Sequence, residues 1–462
     1  MTDHGPKARA PHLGSGPASV PTREPEAPRV RRYKPYATYK NSGVEWLGTI
    51  PASWKTVRVT EVGSLLNGYP FDSEFFVRSD GIPLVRIRDL NGVETEVNYI
   101  GPVIQSAWID HGDVIVGMDG DFNVARWRGQ RALLNQRMCC LRPRKGFDPA
   151  FIAYLLPFPL GVINDLTYST TVKHLSSVDV RKIQLGAPGG DEQRAIAKFL
   201  DGETTRIDTL VAKEERLIEL LQEKRLAVIT RSITKGIDPK AVMKDSGVQW
   251  LGEIPAHWEV KRTKFAARLR SGHTPSRQHP EYWQGCTIPW FGLADVWQIR
   301  DGEIEYVTDT AEKISEIGLA NSAARLLPKD TVMLSRAASV GFSAIMGVDM
   351  ATTQDFVNWV CGSTLRPEYL LYVFRSMQHE FHRLTMGSTH QTIYMPDVGN
   401  FFTPIPPIQE QDRIVIYVRE RIRRVDALVV KVRHAINRLK ELRTALISAA
   451  VTGKIDVRSE TA

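Results

Sequence analysis

Apolar positions along this chain recur with two different periods. Residues 191–238 begin DEQRAIAKFLDGETTRIDTLVAKEERLIELLQEKRLAVIT and close with TKGID; residues 409–456 begin QEQDRIVIYVRERIRRVDALVVKVRHAINRLKELRTALIS and close with TGKID. In the first stretch, positions 200, 207, 214, 221 and 228 with 203, 210, 217 and 224 fall on a heptad track. The second carries Val418, Val425, Val432, Leu439 and Leu446 with Arg421, Leu428, Ala435 and Leu442 on the matching track. Pro188 with Gly189 and Gly190 precedes one stretch and Pro406–Pro407 the other, while Gly236 and Gly453 end them. The pattern predicts two helices of about forty residues, each ~60 Å long at 1.5 Å per residue. Neither seam is apolar enough to stand alone, so an antiparallel coiled coil with a pseudo-twofold axis is expected. Shorter runs predict strands: IPLVRIRDL (82–90) and GDVIVGMDG (112–120), matched by IPWFGLADV (288–296) and DTVMLS (330–335). DPAFIAYLL (148–156) and RPEYLLYVF (366–374) read as matching helices opened by proline. The fold class is mixed α/β.

These matches are parts of one internal repeat. SGVEWLGTIPASW (42–54) returns as SGVQWLGEIPAHW (246–258), identical at ten of thirteen positions. A constant offset of 218 aligns the helical stretches without a gap and also places Gln136 on Gln354 and Thr171 on Thr389. At the tryptophan motifs the offset is 204, so the second copy carries about fourteen extra residues after its motif. The expected organisation is a disordered basic tail at 1–32, a globular domain at 33–190 and a helix at 191–240. A second globular domain at 241–405 and a second helix at 406–456 follow. Tryptophan, isoleucine, glycine and proline in the motif suit a packing framework within its own domain.

Composition narrows the chemistry. A formal net charge of +8 over 462 residues suits an anionic partner without requiring one. No apolar run approaches a membrane span, and the four cysteines lack metal-type spacing, as expected of reduced thiols in a cytoplasmic protein. No GxxxxGK[ST] loop, [DNS]PP[FYW] tetrad, GxSxG, HExxH or dinucleotide fingerprint is present. Asp119 and Asp121 have no carboxylate counterpart in the second copy, which argues against a metal centre. The residues describe a binder, not a self-contained nuclease or methyltransferase. On composition alone, a scaffold with two ligand-binding heads stays open.

Together, the duplicated WLGxIPxxW motif, the two EQ-initiated helices and their TKGID/TGKID endings resemble the specificity subunits of type I restriction–modification systems, over roughly residues 41–456. GDVIVGMDGDFNVARWRGQRALLNQR (112–137) and TPSRQHPEYWQGCTIPWFGLADV (274–296) are similar to two types of target recognition domain in that family. The resemblance implies a non-catalytic, cytoplasmic subunit whose two domains each read half of a bipartite, asymmetric site in double-stranded DNA. It implies helices that space the halves and dock two methyltransferase subunits. No cofactor is expected in this chain: S-adenosylmethionine belongs to the methyltransferase partner, ATP and Mg to the endonuclease partner.

Readers of sequence are amides, guanidinium groups and hydroxyls on loops. In the first copy the candidates are Asn123, Arg126, Trp127 and Arg128, then Gln136 and Arg137, and the polar loop Thr170, Thr171, Lys173 and His174. In the second they are Ser271, His273, Thr274, Ser276 and Arg277, with Arg336, Gln354, Ser388, His390, Gln391 and Tyr394. Core packing competes for Trp127, and a structural amide for Gln136.

Overall fold

The computed structural model describes residues 33–90, 92–166, 175–386 and 391–461. The expected tail at 1–32 and the loop candidates Thr170, Thr171, Lys173, His174, Ser388 and His390 lie outside the described residues. The chain divides into two compact units, Met1–Ala212 with Ile436–Ala462, and Lys213–Ala435. The division falls inside both long helices, so each unit takes the beginning of one and the end of the other.

In the first unit, strands β1 (Gly63–Asn67), β2 (Ile82–Val85), β3 (Val114–Gly117), β4 (Val124–Arg126), β5 (Ala132–Leu134) and β6 (Met138–Pro143) precede helix α1 (Pro149–Leu155). β1, β3, β4 and β6 form an antiparallel sheet in the order β4-β3-β6-β1; β2 and β5 pair in parallel within a second sheet. Proline at its first position and the Asp148 carboxylate, which accepts the Phe151 N–H at 2.9 Å, open α1. The long helix α2 (Gly190–Lys235) follows and runs 46 residues.

The second unit repeats this plan. β7 (Ala267–Ser271), β8 (Ile288–Phe291), β9 (Tyr306–Val307), β10 (Val332–Ser335), β11 (Ser343–Met346) and β12 (Phe356–Cys361) precede α3 (Pro367–Ser376) and the 44-residue α4 (Ile408–Val451). Its main sheet has five strands, in the order β7-β12-β10-β11-β9. β9 has no counterpart among the described residues of the first unit. It belongs to the extra residues of the second copy: Pro83 faces Asn98, fifteen residues on, whereas Pro289 faces Lys313, twenty-four on.

The long helices run antiparallel. In the first unit Arg443 of α4 meets Asp208 of α2 at 2.9 Å; in the second Arg225 of α2 lies 3.4 Å from Asp426 of α4. The two pairs occupy equivalent positions in the repeat. One of the two predicted heptad tracks is correct and the other is displaced. Positions 200, 207 and 221 are buried, but their companions are 204, 211, 218 and 225 rather than 203, 210, 217 and 224. The same holds in α4, where Ile422, Val429 and Ile436 turn inward and Leu428 is exposed. Polar residues caused the misplacement. Thr204 sits in the seam with its hydroxyl returned to the Leu200 carbonyl at 2.6 Å, and Arg443 sits there paired to aspartate. Leu210, Leu217 and Leu220 are consequently left facing outward.

The tryptophan motifs are sockets for helix ends. Trp54 and Trp258 are fully buried, and Trp46 and Trp250 pack against the core of their own unit. Gly453, which ends α4 at φ +72°, lies under Pro51 and Trp54; Gly236, which ends α2 at φ +70°, lies under Pro255 and Trp258. Left-handed backbone favours glycine at both ends, and at Gly453 the close approach of Pro51 demands it as well. Each motif therefore receives the end of the long helix from the other copy and meets the beginning of its own. Glu192 near the start of α2 accepts the Trp54 indole N–H at 3.0 Å and the Tyr36 hydroxyl at 2.7 Å. The buried amides of Gln193 and Gln411 fasten the helix starts, each accepting the N–H of the residue that opens α1 or α3 (Asp148 at 2.8 Å, Arg366 at 2.9 Å).

Candidate nucleic-acid interface

At one edge of each unit, strand ends converge in the same arrangement. In the first unit the chain leaves β1 through Gly68, where a Cβ would stand 1.9 Å from the Asn135 carbonyl oxygen. In the second it leaves β7 through Gly272, where a Cβ would stand 2.0 Å from the Thr353 carbonyl oxygen. Only glycine permits this crossing, and it delivers the next residue beside the end of the neighbouring sheet. The Tyr69 N–H then reaches the Leu134 carbonyl at 3.0 Å, and the His273 N–H the Thr352 carbonyl at 2.9 Å. Gln136 and Gln354 follow immediately, both exposed. Equivalent backbones thus present Tyr69 with Gln136 in one unit and His273 with Gln354 in the other.

The edge is held from below. Arg137, at φ +66°, is paired with Asp119 at 3.0 Å, and the Met118 N–H donates to the Arg137 carbonyl at 2.9 Å. In the second unit Thr274 donates to the Gln354 side-chain carbonyl at 2.7 Å and fixes that amide. Arg336 ties three segments together: its Nε reaches the Gln354 carbonyl at 3.0 Å, its Nη1 the Ile393 carbonyl at 3.4 Å, and its own N–H the Asp355 carbonyl at 2.8 Å. The Ala338 N–H on the Gln391 carbonyl at 3.0 Å brings Gln391 to the same edge, with Tyr394 exposed three residues on. A buried aspartate supports the adjoining turn in both copies. Asp89 accepts the Arg86 N–H at 2.9 Å and Asp295 the Gly292 N–H at 3.0 Å, which turns Ile87 and Leu293 outward.

Several predicted readers stand elsewhere. Trp127 is a core residue, 1 % exposed, with its indole N–H on the Gln130 carbonyl at 2.7 Å, so its ring cannot meet a base. Arg126 and Arg128 leave the edge: Arg126 lies opposite Val114 at the far end of β3, whereas Asn123 stays by the edge with its carbonyl on Gly117. Arg277 lies over the Trp283 ring, its Cζ 3.6 Å from the centroid, and pairs with Glu312 at 2.5 Å, which makes it a brace of its own loop. Ser271 donates to the Gly272 carbonyl at 3.1 Å and Ser276 accepts the Gln278 N–H at 3.3 Å, both local turn contacts. Tyr69 was missed; the offset of 204 that sets it on His273 was the available signal. Trp297, 72 % exposed on the turn after β8, was missed as well. No group of three or more His, Cys, Asp or Glu side chains is placed to hold a metal ion among the described residues. No described helix is long and apolar enough to cross a membrane.

Comparison with known proteins agrees with this architecture. The family model for the type I restriction modification DNA specificity domain matches residues 51–220 and 255–436. The specificity subunit of the type I restriction enzyme EcoBI from Escherichia coli is 29 % identical over 437 residues, 89 % of this chain and 88 % of its own. That of EcoKI, from Escherichia coli K12, is 21 % identical over 88 % of this chain and 90 % of its own. In fold, the chain is similar to a solved component of a type I restriction–modification system (TM-score 0.66, 18 % identity, 87 % of this chain and 98 % of that one). It is also similar to the HsdS subunit of Thermoanaerobacter tengcongensis (TM-score 0.50, 19 % identity, 88 % of this chain and 98 % of that one). With two tandem specificity domains covering most of its length, this chain belongs to the type I restriction–modification specificity subunits, the non-catalytic DNA-recognition members of those systems.

Proposed function

We propose that each unit reads one half of a bipartite, asymmetric DNA sequence, and that the chain directs adenine methylation and restriction to that sequence. The observation that carries this reading is the duplicated edge: one scaffold, offered twice, with different side chains on it. Tyr69, Gln136 and Arg137 face one half-site; His273, Gln354, Gln391 and Tyr394 face the other. An amide at Gln136 or Gln354 suits the adjacent N6 and N7 of adenine in the major groove, and the basic excess of the chain suits the phosphates. Two long helices set the gap between the halves and dock two methyltransferase subunits. The outward Leu210, Leu217 and Leu220 of α2 and Ile416 and Leu428 of α4 supply apolar area for that contact. The methyltransferase brings S-adenosylmethionine; an endonuclease subunit brings ATP and Mg. Co-expression with the methyltransferase subunit, followed by sequencing of methylated adenines, tests the reading. A split motif with a fixed gap is expected. A complex that leaves contiguous or scattered methylation refutes it.

A further inference from the structure

The main sheets of the two units differ at one edge, where the second has five strands and the first four. In the second unit β9 lies parallel to β11, with Tyr306 beside Ile345 and Val307 beside Met346. The Ile345 N–H reaches the Glu305 carbonyl and the Gly347 N–H the Val307 carbonyl, both at 2.7 Å. Three arginines hold the preceding loop. Arg225 donates to the Asp301 carbonyl at 2.7 Å and the Gly302 carbonyl at 2.5 Å, and Arg375 to the Gly302 and Ile304 carbonyls at 2.9 and 2.8 Å. Arg419 pairs with the Glu305 carboxylate at 2.6 Å. The segment GEIEYV is thus an added edge strand, read through its carbonyls and one carboxylate.

Among its described residues, the first unit has the same seat without the strand. β4 is equivalent to β11, since Val124 faces Val116 as Ser343 faces Leu334. It is the last strand of its sheet. The Trp127 N–H is spent on Asp113 at 2.8 Å, so the alternating N–H groups of Arg126 and Arg128 point away from β3. Beside this edge opens a cleft of about 680 Å³ lined by Val124, Arg126, Ala150, Ala153, Tyr154 and Arg443. Its remnant in the second unit, beside the added strand, is about 340 Å³. Small residues make the room: Ala150, Ala153 and Pro157 stand where the second copy has Glu368, Leu371 and Arg375. Arg443, the counterpart of Arg225, keeps its pairing to Asp208, and its Nη1 makes no hydrogen bond among the described residues.

We propose that this edge and cleft bind an extended segment of the methyltransferase subunit, added as a parallel strand on β4, with an aliphatic side chain in the cleft and carboxylates on Arg126 and Arg128. The chain's own GEIEYV shows the chemistry the seat accepts. DNA offers neither a ladder of peptide carbonyls nor an aliphatic group on an extended backbone. The two arginines keep a short edge strand from pairing with its own kind and select an acidic partner. The inference rests on the specificity-subunit reading given above, which supplies the partner.

Hydrogen exchange of the full chain, alone and assembled with the methyltransferase subunit in the absence of DNA, tests it. Amides of residues 124–129 are expected to slow on assembly. Two variants, Arg126→Pro, which removes the receiving N–H, and Ala153→Leu, which installs the residue of the second copy, should each weaken assembly about tenfold. Their unfolding midpoints report separately on folding, and Ala153→Leu should leave them unchanged. Unaltered exchange in the assembled complex, protection that requires DNA, or full-strength assembly of Ala153→Leu each overturns the strand proposal and leaves the DNA-reading claim standing. Failure of any complex to form overturns both.

Discussion

Gly453 gives the sharpest test of how the motifs hold the helix ends. A Cβ at this position would stand 2.3 Å from Cδ and 2.6 Å from Cγ of Pro51, and 3.3 Å from Cη2 of Trp54. The proline ring is part of the backbone and cannot swing away, and Trp54 is fully buried. Gly453→Ala therefore incurs two costs. Left-handed backbone costs a non-glycine residue roughly 1–2 kcal/mol, and forcing a methyl group into a filled site adds roughly 1–3 kcal/mol. Gly236 is the internal control: its φ is +70°, but the nearest atoms to an added Cβ are Trp258 Cζ2 at 3.2 Å and Pro255 Cγ at 3.4 Å. Gly236→Ala carries the backbone cost and little else, about 1–2 kcal/mol. Urea unfolding of both variants, followed by tryptophan emission, should rank Gly453→Ala as the more destabilised by about 1–3 kcal/mol. Equal midpoints, or a reversed order, would refute the seating of the α4 end beneath the first motif.

Other consequences are as definite. Trp127→Ala should destabilise the chain by roughly 3–5 kcal/mol, as loss of a buried aromatic does, without a selective change in base preference at one position. Glu305 adds a pH dependence. Burial pushes its carboxyl up, but hydrogen bonds from Arg419 and Tyr372 and the charges of Arg419 and Arg375 outweigh burial and hold it below the ordinary carboxylate range. Its stabilising share is present above the unfolded carboxylate range and is lost as pH falls through the lowered folded value, so Glu305→Gln should flatten the acid limb of unfolding midpoint against pH. Cys139 is fully buried, and burial pushes its thiol up to about 12, so a thiol reagent at neutral pH should leave it unlabelled in the native chain; early labelling would contradict its place in the core.

Much of the architecture was legible because duplication exposed it. Two long helices, their glycine ends and the matching strand runs could each be checked against a second copy. What escaped notice was carried by polar atoms. Thr204 and Arg443 occupy the helix seam and shifted the second heptad track by one position, because hydrophobicity cannot register a hydroxyl satisfied by its own helix or an arginine paired across the seam. At the candidate interface, polar composition identified the neighbourhood but not the direction of each side chain. The antiparallel run of β4 along β3 carried Arg126, and Arg128 beyond it, to the end away from the edge, and stacking on Trp283 occupied Arg277. The offset of 204 sets Tyr69 on His273, but the reason that position lies at the edge is a contact the pattern does not register, the close approach of Gly68 to the Asn135 carbonyl.

The central claim is that each recognition domain specifies its own half of the site. Replacing residues 245–405 with the corresponding segment of a specificity subunit of different target, in the assembled methyltransferase, and mapping methylated adenines tests this most directly. The account predicts that one block of the motif changes while the other block and the gap between them persist. A motif altered in both blocks, or in neither, would contradict it.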